Sequence, residues 1–529
     1  MRKLLFLCLF ALAPSALAAK PAVLSFADFQ KLEARQGLAA MADENCGGRP
    51  TVVPEVSCRQ LRQEFRYVVY VGKQIYCYWE EKKAEIGTDF EALAHDLEAT
   101  ITDDTSYSEF FLILRRWAAA FHDGHVNALS NPDASQLEIY SSPVRLEVFA
   151  PATANEKLVV QSVAGALGNV AAGDEVLEVN GVPARLAISA AERAYASGST
   201  AAMRRRSTAR RIVDVLGSRL GLEPLSLKVM HKGVEEFVNI PRNAELNLPP
   251  KPGTPEKGDE DSSKLISAQV MPGGIGYLRI DAFIGNMGAL LDVAMDRLRN
   301  TKGLVIDVRQ NGGGDLSGSR LLARLLAPGS GKVARYKVSH RNSDYLLAKR
   351  PYYFLDGIDA GLPFAPWSDI GVEPAPAKKS YAGKPVAVLT ASACFSACDT
   401  FVAALRAHGL ATVIGENTGG GTGSPLEIEL PHTNLGFRYS VVRGLTARDE
   451  VIEGRGTAPD LYVEMRPEDR FAGKDLQLEA ALRYVSEHSG APVPPEGMRP
   501  VAFPEQRLDI SPTRAEDSML RRLTRAVEY

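Results

Sequence analysis

The sequence has no strong excess of charge of either sign and no long apolar run beyond its N-terminus. Its 529 residues carry 61 Lys and Arg against 64 Asp and Glu, so the formal net charge is -3. This near balance gives no electrostatic reason to expect a nucleic acid or an acidic membrane surface as a partner. With 45% apolar and 24% charged residues, the chain has the composition of a globular protein, and its length predicts two to four domains.

The first eighteen residues have the pattern of an export signal. Arg2 and Lys3 precede the apolar run 4–12, and Ala16-Leu17-Ala18 has the small-x-small form of a cleavage site. The run is too short for a transmembrane anchor. We therefore expect a signal peptide over residues 1–18 and an exported, periplasmic or secreted protein without stable membrane insertion.

Cysteine is scarce, and five cysteines remain once Cys8 leaves with the signal segment. An oxidising compartment permits the pairs Cys46 with Cys58 and Cys394 with Cys398, and the odd number leaves at least one thiol outside them. No set of Cys and His has the spacing of a zinc site. We predict neither a metal nor an organic cofactor.

The pattern of predicted secondary structure changes along the chain. Thr88–Glu91 and Ser106–Glu109 have the capping-box form and precede apolar residues at helical spacing. Later, strands alternate with helices, which indicates an α/β class with a largely parallel sheet. The predicted regions are a signal peptide (1–18), an N-terminal helical region (19–137), a β-rich domain (138–242), a linker (243–264), a catalytic core (265–489) and a C-terminal extension (490–529).

The stretch "AAGDEVLEVNGVPA", residues 171–184, predicts a turn at Gly173-Asp174, a strand and a hairpin turn at Asn180-Gly181. It resembles a PDZ domain, although any small β-domain with such a hairpin would share these features. The resemblance implies that residues 138–242 bind an extended peptide as an added strand. The arginine run 204–206 is expected to be a solvated helix face.

Two strings in the core carry a second resemblance. "IGYLRIDAF" (275–283) and "GLVIDVRQNGGG" (303–314) resemble the tail-specific, or C-terminal processing, serine proteases, whose relatives include the tricorn core protease and retinoid-binding proteins. The resemblance implies a crotonase/ClpP-like ββα core. The three glycines allow backbone N–H groups to face an oxyanion.

In this family the nucleophile begins a helix that is followed by "G-E-x-T". Here "SACDTFVAALRAHG" precedes "VIGENTG", so the resemblance implies that Ser396 is the nucleophile, with Ser392 as the alternative. The expected helix 397–408 would place a partial positive charge beside the hydroxyl. Cys394 and Cys398 bracket Ser396 and could form a disulfide or stay buried and reduced.

The base differs from that of the bacterial processing enzymes, since no lysine occurs between Lys384 and Lys474. The tricorn branch uses a histidine and a late glutamate instead. "HDGH" offers His125, with His122 as the less favoured neighbour, and "VIEGRGTAPDL" offers Glu453, whereas Asp449 and Glu450 are expected to be solvated. The tricorn enzyme also has a serine before its histidine, where this chain has Gly124.

These motifs together predict an exported serine endopeptidase that acts on a peptide or protein substrate. Ser396 attacks, His125 exchanges the proton and Glu453 orients the imidazole, while the backbone N–H groups of Ala397 and Gly313 form the oxyanion hole. The alternatives are a non-catalytic peptide- or apolar-ligand-binding protein on the same fold and an acyl-CoA enzyme of the crotonase type. No oligomeric state is indicated.

Overall fold

The computed structural model describes residues 25–36, 46, 56–130, 142–213, 225–240, 262–329, 334–340 and 364–492. The predicted signal peptide, almost all of the predicted linker and most of the C-terminal extension lie outside the described residues. Within these ranges, no helix combines the length and the apolar character needed to cross a bilayer.

Helices account for most of the N-terminal region and for the layers that cover the sheets. They are α1 (Phe26–Gln36), α2 (Cys58–Ile75), α3 (Trp79–Ile86), α4 (Phe90–Ala99), α5 (Tyr107–Ala119), α6 (Ala184–Tyr195), α7 (Ala201–Ala209), α8 (Met287–Leu298), α9 (Gly318–Leu325), α10 (Ala397–Ala407), α11 (Pro467–Ala472) and α12 (Leu476–Ser489). The predicted capping box of Ser106 and Glu109 begins α5. At α4 the cap is Asp89 rather than Thr88, because the Asp89 carboxylate accepts two N–H groups of the first turn.

Strands of the described residues form four sheets. They are β1 (Asn127–Leu129), β2 (Val144–Phe149), β3 (Lys157–Val163), β4 (Glu175–Val179), β5 (Val182–Pro183), β6 (Leu225–His231), β7 (Val234–Ile240), β8 (Ile266–Met271), β9 (Ile275–Ile280), β10 (Gly303–Asp307), β11 (Ala334–His340), β12 (Ser368–Val372), β13 (Val386–Thr390), β14 (Thr412–Gly415), β15 (Pro425–Glu429), β16 (Gly436–Ser440), β17 (Val442–Thr446) and β18 (Leu461–Tyr462). Two of the sheets have three strands, in the orders β1-β16-β15 and β12-β11-β17.

The N-terminal helices bury their apolar faces against strands from far along the chain. Trp117 is fully buried, and its indole N–H donates to the Tyr439 hydroxyl on β16 at 2.7 Å. That hydroxyl in turn donates to the carbonyl of Val68 on α2 at 3.0 Å. The helices and the β15–β16 hairpin therefore share one core.

Residues 144–240, called the inserted unit below, form a sheet of their own with the order β2-β3-β4-β6-β7. All pairs along this order are antiparallel. The strands at its two ends, β2 and β7, are the edges of the sheet. The predicted hairpin turn joins β4 to β5, where Asn180 and Gly181 have φ of 50° and 75°. Positive φ at both central residues is the requirement of a type I′ turn.

The sheet of the core has the order β18-β14-β13-β10-β9-β8, and every pair is parallel except β8 with β9. The central strands β10 and β13 are buried at every residue. Side chains of alternate strand residues face α8, α9 and α10 on one side and α12 on the other. This arrangement confirms the predicted α/β core. Because β10 and β13 are parallel, their carboxyl ends lie at the same edge of the sheet.

The arginine run 204–206 lies in ion pairs, so the expectation of a solvated helix face is wrong. Arg205 is 6% exposed and pairs with Glu156 inside the inserted unit. Arg206 leaves the inserted unit and pairs with Glu416 of the core. The acidic partners are distant in sequence, and α7 therefore ties the two units together.

The structure contains both of the cysteine pairs that the sequence permits. Cys46 is bonded to Cys58, and Cys394 is bonded to Cys398. Cys77 is the free cysteine of the described residues, and it is buried. The second disulfide links the turn before α10 to its first turn, which surrounds Ser396 with a cross-linked loop.

Candidate active site

Ser396 lies in the turn between β13 and α10, in a backbone conformation that serine rarely adopts. Its φ is 62° and its ψ is -121°. A non-glycine residue held in such a region costs of the order of 1–3 kcal/mol, and such strain is concentrated at functional sites. The turn leaves Ser396 partly exposed and places its hydroxyl at the positive end of the α10 dipole.

His125 reaches Ser396 from the segment between α5 and β1. Its Nε2 lies 2.9 Å from Ser396 Oγ. His125 is 4% exposed, and its imidazole packs on the Phe395 ring with the ring centroids 4.5 Å apart. Its backbone N–H donates to Asp123 Oδ1 at 2.8 Å. The structure thus brings the predicted base within hydrogen-bonding distance of the predicted nucleophile.

Gly124, between Asp123 and His125, has no room for a side chain. A Cβ at this position would lie 2.5 Å from the Phe395 ring, closer than carbon atoms approach one another. The departure from the tricorn pattern, glycine instead of serine, therefore accompanies the packing of Phe395 on the base.

The second ring nitrogen of His125 faces a backbone amide and a carboxylate. The N–H of Gly423 points to Nδ1 across 3.3 Å, and Asp123 Oδ1 lies 4.0 Å from Nδ1. The pKa of His125 is lowered to about 4 by burial, against the opposing charge of Asp123 and with a smaller contribution from Arg438. At neutral pH the ring is uncharged, and with Nδ1 accepting the Gly423 N–H its proton sits on Nε2.

Glu453 is buried in the loop between β17 and β18, beside the histidine. Its Oε2 accepts the Thr422 N–H at 3.2 Å, and Lys82 Nζ lies 3.6 Å from Oε1. Burial and the charge of Asp123 raise the pKa of Glu453 to about 8, while Lys82, the Ser199 hydroxyl and the Thr422 N–H lower it. Among the described residues, Oε1 has no partner within hydrogen-bonding geometry. Oε1 therefore has an ion-pair partner in Lys82 but accepts no hydrogen bond from the described residues.

Asp123, His125 and Glu453 present ligand atoms that all lie within 4.8 Å of one another, as in a metal site. Two contacts oppose a cation there. The Lys82 ammonium already lies beside Glu453, and Asp123 Oδ2 already accepts the Ser440 hydroxyl at 2.7 Å. The cluster fits a charge-balanced acid–base group better than a set of metal ligands.

The glycine-rich loop 419–423 holds the site with its backbone. Successive N–H groups of this loop donate to Asp399, Glu453 and His125, at donor–acceptor distances from 2.9 to 3.3 Å. The bacterial processing enzymes have their lysine soon after the preceding "G-E-x-T". In this chain the same stretch contributes amide donors instead.

Asp399, in the first turn of α10, fixes the backbone of Ser396. Its carboxylate accepts the Ser396 N–H at 3.1 Å and the N–H groups of Gly420 and Gly421 at 3.0 and 2.9 Å. Burial raises the pKa of Asp399 to about 7, against the opposing effect of these hydrogen bonds and of the Thr418 side chain. The carboxylate therefore joins the nucleophile to the glycine-rich loop.

The two predicted oxyanion donors differ in availability. The N–H of Ala397, the first residue of α10, has no acceptor within its own helix. The N–H of Gly313 donates to Asn311 Oδ1 at 2.8 Å, so this predicted oxyanion donor is already engaged in the structure. Gly313, with φ of 97°, instead permits close approach, since a Cβ there would lie 2.7 Å from Ser396 Cβ.

The alternative candidates lie apart from this arrangement. The Ser392 hydroxyl is buried and accepts an Arg206 N–H at 2.6 Å. His122, with φ of 46°, closes the turn after α5, and its carbonyl accepts from Lys82. Asp449 is exposed in an ion pair with Lys337. None of these contacts involves Ser396.

Sequence reasoning missed four residues that contact the candidate triad. Asp123 belongs to the quoted "HDGH" motif, and Asp399 has the position of a capping residue, so both had a local signal. Lys82 and Ser199 had none, because their partners are more than 70 residues away in the chain.

Comparison with known proteins gives a family match for part of the chain. Residues 274–463 match the model of Peptidase family S41. The structure of mature CPAF aligns with a TM-score of 0.59 and 16% identity, over 78% of this chain and 94% of that one. Mature CPAF complexed with lactacystin aligns with a TM-score of 0.54 and 16% identity, over 81% and 97% of the two chains. At such identities the likeness is one of fold.

The photosystem II D1 C-terminal processing protease aligns with a TM-score of 0.41 and 17% identity, over 82% of this chain and 98% of that one. The family match covers the strand before the glycine triplet, the Ser396 turn and the Glu453 loop. Residues 274–463 therefore form a peptidase family S41 domain, so the protein is a serine-type peptidase, and the chain shares its fold with mature CPAF.

Proposed function

We propose that the protein is an exported serine endopeptidase in which Ser396, His125 and Glu453 act together on a peptide bond. The observation that carries the proposal is the 2.9 Å contact between His125 Nε2 and Ser396 Oγ. It joins residues from two distant motifs at a strained serine, which is the geometry that a hydroxyl nucleophile and its base require.

Glu453 is a better partner for the imidazolium than Asp123. Both oxygens of Asp123 already accept hydrogen bonds, one from the His125 N–H and one from Ser440. Glu453 Oε1 accepts no hydrogen bond from the described residues, although Lys82 Nζ lies 3.6 Å from it. Glu453 can therefore accept a hydrogen bond from a protonated His125 Nδ1, once Nδ1 no longer accepts the Gly423 N–H.

The proposed reaction begins when the proton of the neutral His125 ring moves from Nε2 to Nδ1. With its proton on Nδ1, His125 accepts the Ser396 proton at Nε2 while Oγ attacks the peptide carbonyl carbon. The imidazolium then returns a proton to the leaving amine as the C–N bond breaks, and a water molecule repeats the sequence to release the acyl group. Glu453 remains ionised and balances the imidazolium charge.

The developing oxyanion would be bound by the Ala397 N–H at the start of α10. This group is oriented by the helix and needs no rearrangement when charge develops. Loss of one such donor typically costs about 3–4 kcal/mol of transition-state stabilisation. The same helix end adds a favourable dipole.

Hydrolysis assays on two serine variants test the proposal. Ser396→Ala should abolish hydrolysis of casein and of a quenched peptide without loss of folded protein. Ser392→Ala is the matched control, because it removes a hydroxyl four residues away that contacts Arg206 rather than His125. Wild-type turnover in Ser396→Ala would rule out the proposed nucleophile.

We propose further that the inserted unit is PDZ-like and binds a segment of the substrate. Its edge strand β2 lies beside α7, and an extended peptide can add to such an edge through backbone hydrogen bonds. A Ser396→Ala protein mixed with a long peptide that carries photocrosslinkers along its length should give crosslinks to residues 144–209 as well as near Ser396. Crosslinks confined to the surroundings of Ser396 would exclude this reading.

Export is supported by the pattern of residues 1–18 and by the two cysteine pairs, which suit an oxidising compartment. The mature N-terminus of protein expressed from the full chain should follow Ala18. Intact mass of the protein recovered outside the cytoplasm measures this, and an uncleaved N-terminus there would contradict it.

A further inference from the structure

One segment of the inserted unit lies directly against the catalytic centre. Between α6 and α7, the Ser197 hydroxyl donates to the Gly124 carbonyl at 3.3 Å, and the Gly124 N–H donates to Ser199 Oγ at 3.0 Å. One residue later, the Thr200 N–H donates to the carbonyl of Gly419 in the glycine-rich loop at 3.2 Å. Two serines thus hold both polar groups of Gly124.

Gly124 determines where the base lies, because it is the residue before His125. It is buried, and Phe395 leaves no space for a side chain that could fix it from within its own segment. Its N–H must find an acceptor, and the acceptor in this structure is Ser199, which is 3% exposed. Without that oxygen the peptide unit would have to turn, and His125 would move with it.

The Ser199 hydroxyl can also serve the third member of the triad. Its oxygen accepts the Gly124 N–H, so its own proton remains free to donate. The Ser199 hydroxyl lowers the pKa of Glu453, and Glu453 Oε1, with Lys82 Nζ 3.6 Å away, accepts no hydrogen bond from the described residues. One hydroxyl therefore contacts the peptide before the base and faces the carboxylate beside it.

The inserted unit holds Ser199 in place. Arg204 donates from Nη1 to the Ser199 carbonyl at 3.0 Å and from Nε to Glu192 at 3.0 Å. The Thr200 hydroxyl caps α7 by accepting the Met203 N–H. The helix start, the arginine and the two serines form one rigid connection from the inserted unit to His125.

We propose that Ser199 is a positioning residue of the peptidase reaction, supplied by the inserted unit, which fixes the Gly124 peptide and hence His125, and presents its hydroxyl to Glu453. The proposal rests on the proposed Ser396-His125-Glu453 function. It gives the inserted unit a part in assembling the catalytic centre, separate from any peptide that the unit binds.

Kinetics of Ser199→Ala test the proposal, with Ser189→Ala as the control, since Ser189 lies on α6 of the same unit and bonds to the Arg185 carbonyl and to Arg205. Rates are divided by the concentration of active sites titrated with a fluorophosphonate. Ser199→Ala should lower kcat by about 10- to 100-fold with KM little changed, as misplacement of a base does. The ascending limb of its pH profile should move to higher pH, and Ser199→Thr, which keeps the hydroxyl, should restore both.

Hydrogen exchange provides a readout that does not depend on activity. In Ser199→Ala the Gly124 amide should exchange faster, while Ser189→Ala should leave it protected. If Ser199→Ala is too unstable to measure, Ser199→Cys replaces it, because sulfur is a weak acceptor of similar size.

The outcomes separate the two proposals. Wild-type kcat, pH profile and Gly124 protection in Ser199→Ala would overturn the role of Ser199, while an inactive Ser396→Ala would still support the proposed function. A folded wild-type protein that neither hydrolyses peptides nor reacts with the fluorophosphonate would overturn the proposed function, and the role of Ser199 with it.

Discussion

The Lys82 ammonium lies 3.6 Å from the Glu453 carboxylate, and both side chains are buried. Lys82 belongs to α3, and its Nζ also donates to the His122 carbonyl at 3.0 Å. The first helices of the chain therefore supply the counter-charge for a carboxylate in a loop near the end of the core. A buried ion pair therefore joins the helical region to the catalytic core.

Removal of this lysine should destabilise the fold in a pH-dependent way. Because it leaves a buried carboxylate without its counter-charge, we expect Lys82→Met to lower the free energy of unfolding by about 3–5 kcal/mol at pH 9. The Glu453 pKa of about 8 lies above its unfolded value, so the loss should be smaller at pH 6, where the folded carboxyl is protonated. Urea unfolding at the two pH values measures this.

The neighbouring lysine provides the control. Lys83 is partly exposed and pairs with Glu91 on the surface, so Lys83→Met should cost much less stability than Lys82→Met at pH 9 and should show little dependence on pH. Equal losses for the two variants, or a loss at Lys82 that does not grow with pH, would contradict the assigned pairing.

The pH dependence of kcat/KM should report the buried carboxylate–imidazole pair. His125, with a pKa lowered to about 4, is neutral across the working range, whereas Glu453 must lose its proton near pH 8 to balance an imidazolium. Activity should therefore rise through a limb near pH 8. Glu453→Gln should lower kcat/KM by about 10³- to 10⁴-fold and remove that limb; a limb that persists in this variant belongs to another group.

His125 should also leave a signature in stability. Its folded pKa lies below the unfolded value of about 6.5, so the unfolded chain binds the proton more readily between pH 4 and 6.5. The wild-type protein therefore gains stability as pH rises through this window. His125→Gln should lack this gain, and its stability relative to wild type should improve by up to about 3 kcal/mol between pH 7 and pH 4. Parallel stability curves for the two proteins would refute the depressed pKa.

Much of the candidate site could be predicted because the residues proposed to react lie in short motifs. Ser396, His125 and Glu453 each belong to a local string whose form does not depend on distant contacts. The parallel sheet was predictable for the same reason, since the apolar runs of β10 and β13 alternate with helical segments. What these motifs do not contain is the partner of each residue.

The structure departs from expectation where a distant partner or the exact conformation of a turn decides the outcome. The run 204–206 resembles a solvated helix face, because nothing near it shows that Glu156 and Glu416 will neutralise it. Gly313 has the sequence of an oxyanion donor, but its N–H is taken by the Asn311 side chain, a contact set by the turn's exact conformation. At α4, Thr88 and Asp89 could both cap, and only the backbone geometry selects Asp89.

Asp399 provides a test of how the nucleophile is held. Its removal leaves the Ser396 N–H and two loop N–H groups without their acceptor. Asp399→Ala should lower kcat by about 100-fold, because the strained Ser396 turn relaxes away from His125. Asp399→Asn keeps one acceptor oxygen, so its kcat should lie between those of the wild-type protein and Asp399→Ala. Wild-type kcat in folded Asp399→Ala would show that the turn does not depend on this carboxylate.

The central claim is that His125 activates Ser396, and reaction with a fluorophosphonate tests it most directly. Labelled protein is digested and mapped by tandem mass spectrometry, which separates Ser396 from Ser392 in the same region. We expect a single adduct on Ser396 in the wild-type protein, none in Ser396→Ala, and a labelling rate at least 100-fold lower in His125→Gln. An adduct on another residue, or wild-type labelling in folded His125→Gln, would contradict the account.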